Sequence, residues 1–114
     1  MERTIAVLGL GLIGGSLAFR LRNKGHRVIG YDVSEERTQT ALHLGAISEG
    51  RSSAAEAVKE SDLVFIAAPV GAIVPIIEEI MPHTRPEAIV TDVGSVKRPI
   101  MEKVELLKPS FTFI

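Results

Sequence analysis

Cysteine and tryptophan are absent from this sequence of 114 residues, and neither sign of charge dominates it. Without cysteine the chain forms neither disulfides nor thiolate metal sites, which is compatible with a reducing cytoplasm. Its 13 Lys and Arg residues nearly balance 14 Asp and Glu residues, so the formal net charge is −1. Nucleic acids and anionic membrane surfaces attract basic proteins, so we expect neither as a partner.

A long hydrophobic run is also missing. Two stretches are rich in apolar residues, 5–19 and 63–77, but four glycines interrupt the first, and two prolines and a glycine interrupt the second. The first lacks the basic lead-in of a signal peptide, and the second is shorter than the roughly 20 residues that span a bilayer. With 46% apolar and 24% charged residues, the composition is that of an ordinary globular protein, and the length predicts one domain.

Short apolar runs alternate with longer amphipathic segments along the whole chain. This alternation is typical of an α/β protein in which parallel strands are joined by crossover helices on both faces of the sheet. The runs predict strands at 4–8, 27–31, 46–47, 63–67, 88–91 and 111–114. Helices are predicted at 13–24, 35–44, 54–60, 72–81 and from the first turn around Pro99, with Ser34 and Ser53 as N-caps. The chain ends within the sixth strand, which we interpret as a truncation.

A glycine motif, G-x-G-x-x-G, follows the first predicted strand and opens the first helix. In this context Gly9 permits a tight turn, Gly11 lets the backbone approach a pyrophosphate, and Gly14 lets the helix pack closely on the strand. The helix N-terminus, with Leu12 and Ile13, offers unpaired N–H groups to phosphate oxygens. The motif therefore predicts a Rossmann-type, doubly wound dinucleotide-binding domain over residues 1–114.

An acidic residue at the end of the second strand completes this fingerprint. Asp32 lies 18 residues after Gly14, where a carboxylate accepts hydrogen bonds from the adenosine ribose. Such a carboxylate favours NAD over NADP, because a 2′-phosphate would meet like charge. The alternative for Asp32 is a turn residue before an N-cap. Arg37 would reverse the preference if its side chain reached back over the ribose, but we favour a solvated helix residue.

Two further segments follow strands at the same edge of the sheet. Small side chains at 68–70 would leave room for a cofactor, and a Pro69 that only ends its strand is an equal alternative. Polar residues follow the fifth strand and would orient a substrate. The alternative is that they are turn and cap residues, which are of the same residue types. The candidate cofactor-binding residues of these segments are Ala68, Pro69, Val70, Asp92 and Gly94, and Ser95 is the candidate residue for orienting a substrate. No metal site is expected, since the three histidines fall in a turn, a helix and a loop.

Four parts of the chain together resemble the N-terminal half of prephenate dehydrogenases and their arogenate-using relatives. These are residues 9–16, Asp32, residues 68–70 and, most specifically, T-D-V-G-S-V-K at 91–97. The resemblance implies an NAD-dependent oxidative decarboxylation of prephenate to 4-hydroxyphenylpyruvate, or of arogenate to tyrosine, in tyrosine biosynthesis. It also implies a cytoplasmic enzyme that is a homodimer at full length.

The resemblance also implies roles for single residues. Ser95 is expected beside the nicotinamide and the substrate hydroxyl, where it helps to orient a catalytic histidine, and Lys97 has at most a supporting role. In the family that histidine lies in a G-G-H-P segment after the sixth strand, followed by a helical substrate and dimerisation domain. Since this sequence stops at Ile114, we expect a cofactor-binding half that does not turn over alone.

Two alternatives remain open at this point. A stand-alone nucleotide-sensing module would use the same glycine fingerprint for regulation, and a native stop codon after Ile114 would favour it. A fragment of a β-hydroxyacid-type dehydrogenase would carry a differently ordered serine motif after the fifth strand.

Overall fold

The structure is a computed structural model that describes residues 2–93 and 97–114. Its strands are β1 (Thr4–Leu8), β2 (Arg27–Tyr31), β3 (Glu49–Gly50), β4 (Leu63–Ile66), β5 (Ile89–Asp92) and β6 (Thr112–Phe113). Its helices are α1 (Leu12–Asn23), α2 (Glu35–His43), α3 (Ala54–Val58), α4 (Val70–Ile80) and α5 (Lys97–Leu107). Strands and helices therefore alternate along the chain, as the apolar pattern predicts.

The six strands form one parallel sheet in the order β3-β2-β1-β4-β5-β6. The last residue of β1, Leu8, pairs with Tyr31 of β2 on one side and with Ile66 of β4 on the other. β2 and β3 are added on one side of β1, and β4, β5 and β6 on its other side, so the order of strand addition reverses between β1 and β4. In doubly wound folds the ligand crevice opens at this switch point, beyond the carboxyl ends of the strands.

Helices cover both faces of the sheet, which confirms the predicted fold class. On one face α1 and α2 contribute Ala18 and Ala41 to a buried cluster with Ile5, Val7 and Val28. On the other face α3, α4 and α5 surround a larger cluster. Its members are buried apolar side chains that include Ala57, Val58, Ile73, Ile77, Ile80, Val90, Val104 and Phe113. Burying each large aliphatic side chain contributes roughly 1.5–3 kcal/mol, so these two clusters hold the layers together.

The strands β1 and β2 have the bounds that the sequence predicts. Each is a short strand whose central residues are apolar and buried, as expected of strands covered on both faces of the sheet. α2 is capped as predicted, since Ser34 Oγ accepts a hydrogen bond from the N–H of Arg37 at 3.3 Å. The last helix packs on the sheet through Val104, which is buried, with Met101 and Leu107 beside it.

The third strand lies later in the chain than predicted. β3 is Glu49–Gly50, where Glu49 pairs with Ile29. Ala46 and Ile47 are buried but precede the strand, and the carbonyl of Ile47 accepts a hydrogen bond from Arg22 Nη1 at 2.8 Å. The prediction at 46–47 is wrong because the apolar character of these residues reflects packing under α2 rather than strand pairing.

The predicted N-cap of α3 forms at Ser53, but Glu56 does not complete a capping box, in which its carboxylate would accept from the N–H of Ser53. Ser53 Oγ accepts from the N–H of Glu56 at 3.1 Å, but the Glu56 carboxylate pairs with Lys59 Nζ at 2.6 Å instead of returning to Ser53. The helix ends at Val58, two residues earlier than predicted.

Two element ends near the carboxyl edge also differ from prediction. α4 begins at Val70 rather than at 72, which places Pro75 beyond the first turn. This is tolerated because Gly71, whose carbonyl lacks the N–H of residue 75, is exposed to water. β5 extends through Asp92, so this residue ends the strand rather than opening the loop.

Ion pairs gather at the amino end of the sheet. Arg27 Nε lies 2.5 Å from Glu49 Oε2 and Arg27 Nη1 lies 2.8 Å from Glu60 Oε1, while Arg51 Nη2 lies 2.6 Å from Glu49 Oε1. Hydrogen bonds from Arg27 and Arg51 lower the pKa of Glu49 to about 2, and those to Glu49 and Glu60 raise the pKa of Arg27. These charges therefore satisfy one another.

No helix in the described ranges is long and apolar enough to span a membrane. Within the same ranges, no group of three or more His, Asp or Glu residues is arranged to hold a metal ion.

Candidate functional site

A cleft of about 790 Å³ opens at the carboxyl ends of β1, β2 and β4, at the switch point of the sheet. Most of the predicted cofactor-binding residues line it. They are Gly9, Gly11, Leu12, Ile13, Gly14, Asp32, Ala68, Pro69 and Val70. Asp92 is buried at the end of β5 and is not among the lining residues, whereas its neighbour Val93 is. The candidates Gly94 and Ser95 lie outside the described residues.

Two glycines of the motif hold the loop against the strand ends. Gly9 has φ +105°, and its N–H donates to the carbonyl of Tyr31 at 2.7 Å. A Cβ atom there would overlap with the carbonyl oxygen of Ala67, and one on Gly14 would overlap with that of Gly9. Any side chain at either position would therefore push α1 away from β1 and β4.

The third glycine faces open space. Gly11 is the N-cap of α1, and the nearest atom to a Cβ placed on it is Arg37 Nη1, at 4.0 Å. No side chain caps this helix, and its first turn contains no acidic residue. The first N–H groups of α1 and their partial positive charge thus point into the cleft and donate no hydrogen bond to a described side chain. This geometry fits a phosphate group that approaches the backbone closely.

Asp32 joins the glycine loop to the turn before α2. Its Oδ2 accepts a hydrogen bond from the N–H of Leu10 at 2.7 Å, and its Oδ1 accepts one from the N–H of Ser34 at 2.8 Å. Only 7% of the residue is exposed, so backbone donors replace most of its water. The bond to Ser34 shows that Asp32 is a turn residue before the N-cap of α2, which was the alternative interpretation. Asp32 also lines the cleft.

Arg37 is an exposed residue of α2, as the favoured sequence interpretation predicts, but its guanidinium also approaches Asp32. Its Nη1 lies 3.9 Å from Asp32 Oδ2, although 62% of its side chain remains exposed. Ser34 caps α2 and so places residue 37 one turn later, on the side of the helix that faces Asp32. The guanidinium therefore reaches the wall of the cleft.

Several lining residues were not predicted. Val33 and Val93 follow strands β2 and β5, so the rule that ligands bind beyond carboxyl ends would have found them. Tyr31 ends β2, and burial, with smaller contributions from the charges of Glu79 and Asp32, raises the pKa of its hydroxyl. Other lining residues come from helices, and no local signal marks them. They are Ala54 of α3 and Ala72 and Ile76 of α4.

The sheet order, the glycine loop and the acid after β2 together define a dinucleotide-binding domain of the Rossmann type. Comparison with known families narrows this class. Residues 17–114 match the family described as prephenate dehydrogenase, nucleotide-binding domain. The chain belongs to this family. The match favours the predicted family over a β-hydroxyacid-type dehydrogenase or a separate sensing module.

Individual relatives agree with this assignment. The chain is 40% identical to prephenate dehydrogenase of Bacillus subtilis over 114 residues, which cover 96% of the chain and 30% of that protein. It superposes on Synechocystis arogenate dehydrogenase with a TM-score of 0.87 and 37% identity, covering 95% of the chain and 38% of that structure. It also superposes on prephenate dehydrogenase from A. aeolicus in complex with hydroxyphenyl propionate and NAD⁺. The TM-score is 0.84 and the identity 31%, and the match covers 97% of the chain and 40% of that structure. The chain thus spans less than half the length of each relative.

Proposed function

We propose that this chain is the NAD-binding domain of an enzyme that oxidatively decarboxylates prephenate or arogenate. The observation that carries the proposal is the open Gly11 at an uncapped helix N-terminus, beside a carboxylate at the end of β2. Relatives of the chain include both prephenate and arogenate dehydrogenases, and one of them is described in complex with NAD⁺. Both substrates therefore stay within the proposal.

The cleft offers a suitable environment for each part of the dinucleotide. The N–H groups at the start of α1 would hold the pyrophosphate, next to Gly11. Asp32 would accept a hydrogen bond from the adenosine ribose, since each carboxylate oxygen has capacity beyond its one backbone donor. The small residue Ala68, with Pro69 and Val70, leaves space at the end of β4 for the nicotinamide. A bound NAD⁺ would supply the hydride acceptor for oxidation of the substrate.

Substrate chemistry is assigned on the family resemblance. We propose that Ser95 orients the catalytic histidine of such an enzyme and that Asp92 and Gly94 belong to the residues that bind the cofactor. The groups that bind the substrate are proposed to lie in the part of the relatives that this chain does not span. A cytoplasmic location and a homodimeric whole enzyme belong to the same proposal.

Calorimetric titration of the chain with NAD⁺ tests the cofactor site, with Gly11→Ala and Gly15→Ala as a matched pair. A methyl group at residue 11 meets open space in the protein but enters the region next to the helix N-terminus. Gly15→Ala makes only an ordinary 3.5 Å contact with the carbonyl of Leu10 and does not line the cleft. We expect Gly11→Ala to weaken NAD⁺ binding about tenfold or more, which corresponds to losing one charge-assisted hydrogen bond, and Gly15→Ala to leave it unchanged.

Circular dichroism of each variant checks that the fold is retained. Equal affinity of Gly11→Ala and the unmodified chain would contradict the placement of the pyrophosphate. Absence of any binding heat from the folded, unmodified chain would contradict the proposed function as a whole.

A further inference from the structure

The adenosine end of the cleft has an unusual charge balance. A carboxylate after β2 normally repels the 2′-phosphate of NADP, because two anions would share one site. Here both oxygens of Asp32 are held by backbone N–H groups, at 2.7 Å from Leu10 and 2.8 Å from Ser34. The carboxylate is thus drawn into the protein, and its side chain is only 5% exposed.

Arg37 adds a positive charge at the mouth of the same site. Its guanidinium lies 3.9 Å from Asp32 Oδ2, which is longer than a hydrogen bond. The same Nη1 is 4.0 Å from a Cβ placed on Gly11, so the side chain bridges the space between α2 and the glycine loop. A guanidinium has five N–H donors in a planar fork that matches phosphate geometry. With 62% of its side chain exposed, Arg37 has donors available to a ligand.

Two acidic residues precede Arg37 and would oppose an anion. Glu35 and Glu36 occupy the first turn of α2 and are exposed. Neither side chain lines the cleft, and Glu36 instead faces a second groove between α1 and α2. Their repulsion acts through water and is screened by salt, whereas Arg37 stands at the cleft wall itself.

We propose that Arg37 lets the adenosine site accept a 2′-phosphate as well as a free 2′-hydroxyl, so that the domain binds NADP(H) alongside NAD(H). The guanidinium would pair with the phosphate, while Asp32 remains bound to its backbone donors. Arg37 is in this sense a specificity-determining residue. The inference rests on the proposed function, because it assumes that the cleft binds a dinucleotide.

Adenine nucleotides that differ only at the 2′ position isolate this contact. We would titrate the chain with 5′-AMP and adenosine 2′,5′-bisphosphate, then with NAD⁺ and NADP⁺. The unmodified chain is expected to bind adenosine 2′,5′-bisphosphate at least as tightly as 5′-AMP, and NADP⁺ within about tenfold of NAD⁺. Added salt should weaken the binding of the 2′-phosphorylated ligand of each pair more than the binding of the ligand without this phosphate.

The variants Arg37→Gln, Arg37→Lys and Arg20→Gln identify the residue responsible. Arg37→Gln is expected to shift the ratio of the two dissociation constants against the 2′-phosphate by about tenfold to a hundredfold. Arg37→Lys keeps the charge without the fork and should shift it less. Arg20 is an exposed helical arginine that lines only the second groove, so Arg20→Gln should leave the ratio unchanged.

The possible outcomes separate this inference from the proposed function. Binding of NAD⁺ with rejection of NADP⁺ and of adenosine 2′,5′-bisphosphate would overturn the inference and keep the function. An equal effect of Arg37→Gln on both members of each pair would also overturn it. If no dinucleotide binds to the folded chain, the proposed function fails and this inference fails with it.

Discussion

The two ends of the sheet handle charge in opposite ways. At the amino end, Arg27 pairs with Glu49 at 2.5 Å and with Glu60 at 2.8 Å. At the carboxyl end, Asp32 accepts hydrogen bonds from two backbone N–H groups, and its partner Arg37 stays 3.9 Å away. At the amino end the charged side chains pair with one another. At the carboxyl end the backbone holds the carboxylate, and the cation stays accessible to a ligand.

This difference shows which charges are committed to the fold. A side-chain ion pair at full contact has little capacity left for a ligand, and at an exposed position it adds little stability. A backbone donor cannot leave its carboxylate without moving the chain, so the bonds of Asp32 hold two loops in place. The Arg37 side chain does not hold loops together in this way, and we therefore propose that it contacts the ligand.

The largest effect is expected where the carboxyl end depends on close backbone packing. Gly14→Ala would place a methyl group onto the carbonyl oxygen of Gly9 and force α1 off the sheet. We expect the free energy of unfolding to fall by about 3 kcal/mol, as for severe overpacking. Urea denaturation measures this, and Gly15→Ala is the control in the next position. That variant should be neutral or up to about 1 kcal/mol more stable.

A smaller effect is expected from Asp32→Asn. The amide has one acceptor oxygen, so its NH₂ group must face the N–H of either Leu10 or Ser34. One buried donor is then left without a partner, and we expect a loss of about 2 kcal/mol in urea denaturation.

Asp62→Asn is the matched control for Asp32→Asn at the amino end. Asp62 also accepts a backbone N–H, from Thr4 at 3.2 Å, and pairs with Arg85, but its side chain is 40% exposed. Water can replace its contacts, so the loss should be below about 1 kcal/mol. Equal losses at Asp32 and Asp62 would contradict the contrast between the two ends.

The smallest effect at neutral pH belongs to the ion pairs of Glu49. Because Arg27 and Arg51 lower the pKa of Glu49 from 4.5 to about 2 in the folded chain, its contribution is present above pH 4.5 and is lost as the pH falls towards 2. Glu49→Gln should lower the free energy of unfolding by less than about 1 kcal/mol at pH 7, given partial exposure.

Urea denaturation of this pair between pH 7 and pH 2 measures the trend. The difference in free energy of unfolding between Glu49→Gln and the unmodified chain should shrink as the pH falls from 4.5 towards 2. A difference that is constant over this range would show that the carboxylate charge plays no part.

Local patterns were sufficient for the parts of the fold that are decided locally. β2 has its predicted bounds because a short apolar run between turns is all that specifies a central strand. β3 was misplaced because Glu49 enters the sheet edge beside Ile29 of β2, a long-range contact that no neighbouring residue announces. Buried Ile47 shows the converse, since an apolar side chain need not belong to a strand.

The candidate site divides along the same line. The positions of Gly9, Gly14 and Asp32 at the cleft follow from the motif, because its spacing is tied to one strand-turn-helix geometry. The approach of Arg37 to Asp32 depends on a side-chain rotamer, and the contribution of Ile76 depends on how α4 packs. Neither is encoded in a spacing. The roles of Gly94 and Ser95 stay predictions.

The double attachment of Asp32 restricts how this domain can change its cofactor during evolution or engineering. Replacing the acid is the obvious way to admit a phosphorylated ribose, but here it would also release the glycine loop from the turn before α2. The side chain of residue 37 makes no described hydrogen bond to the backbone, so we expect substitutions there to alter selectivity and to leave the scaffold intact. A library aimed at cofactor preference in this protein should therefore vary residue 37, with the exposed Val33 beside it, and keep Asp32 fixed.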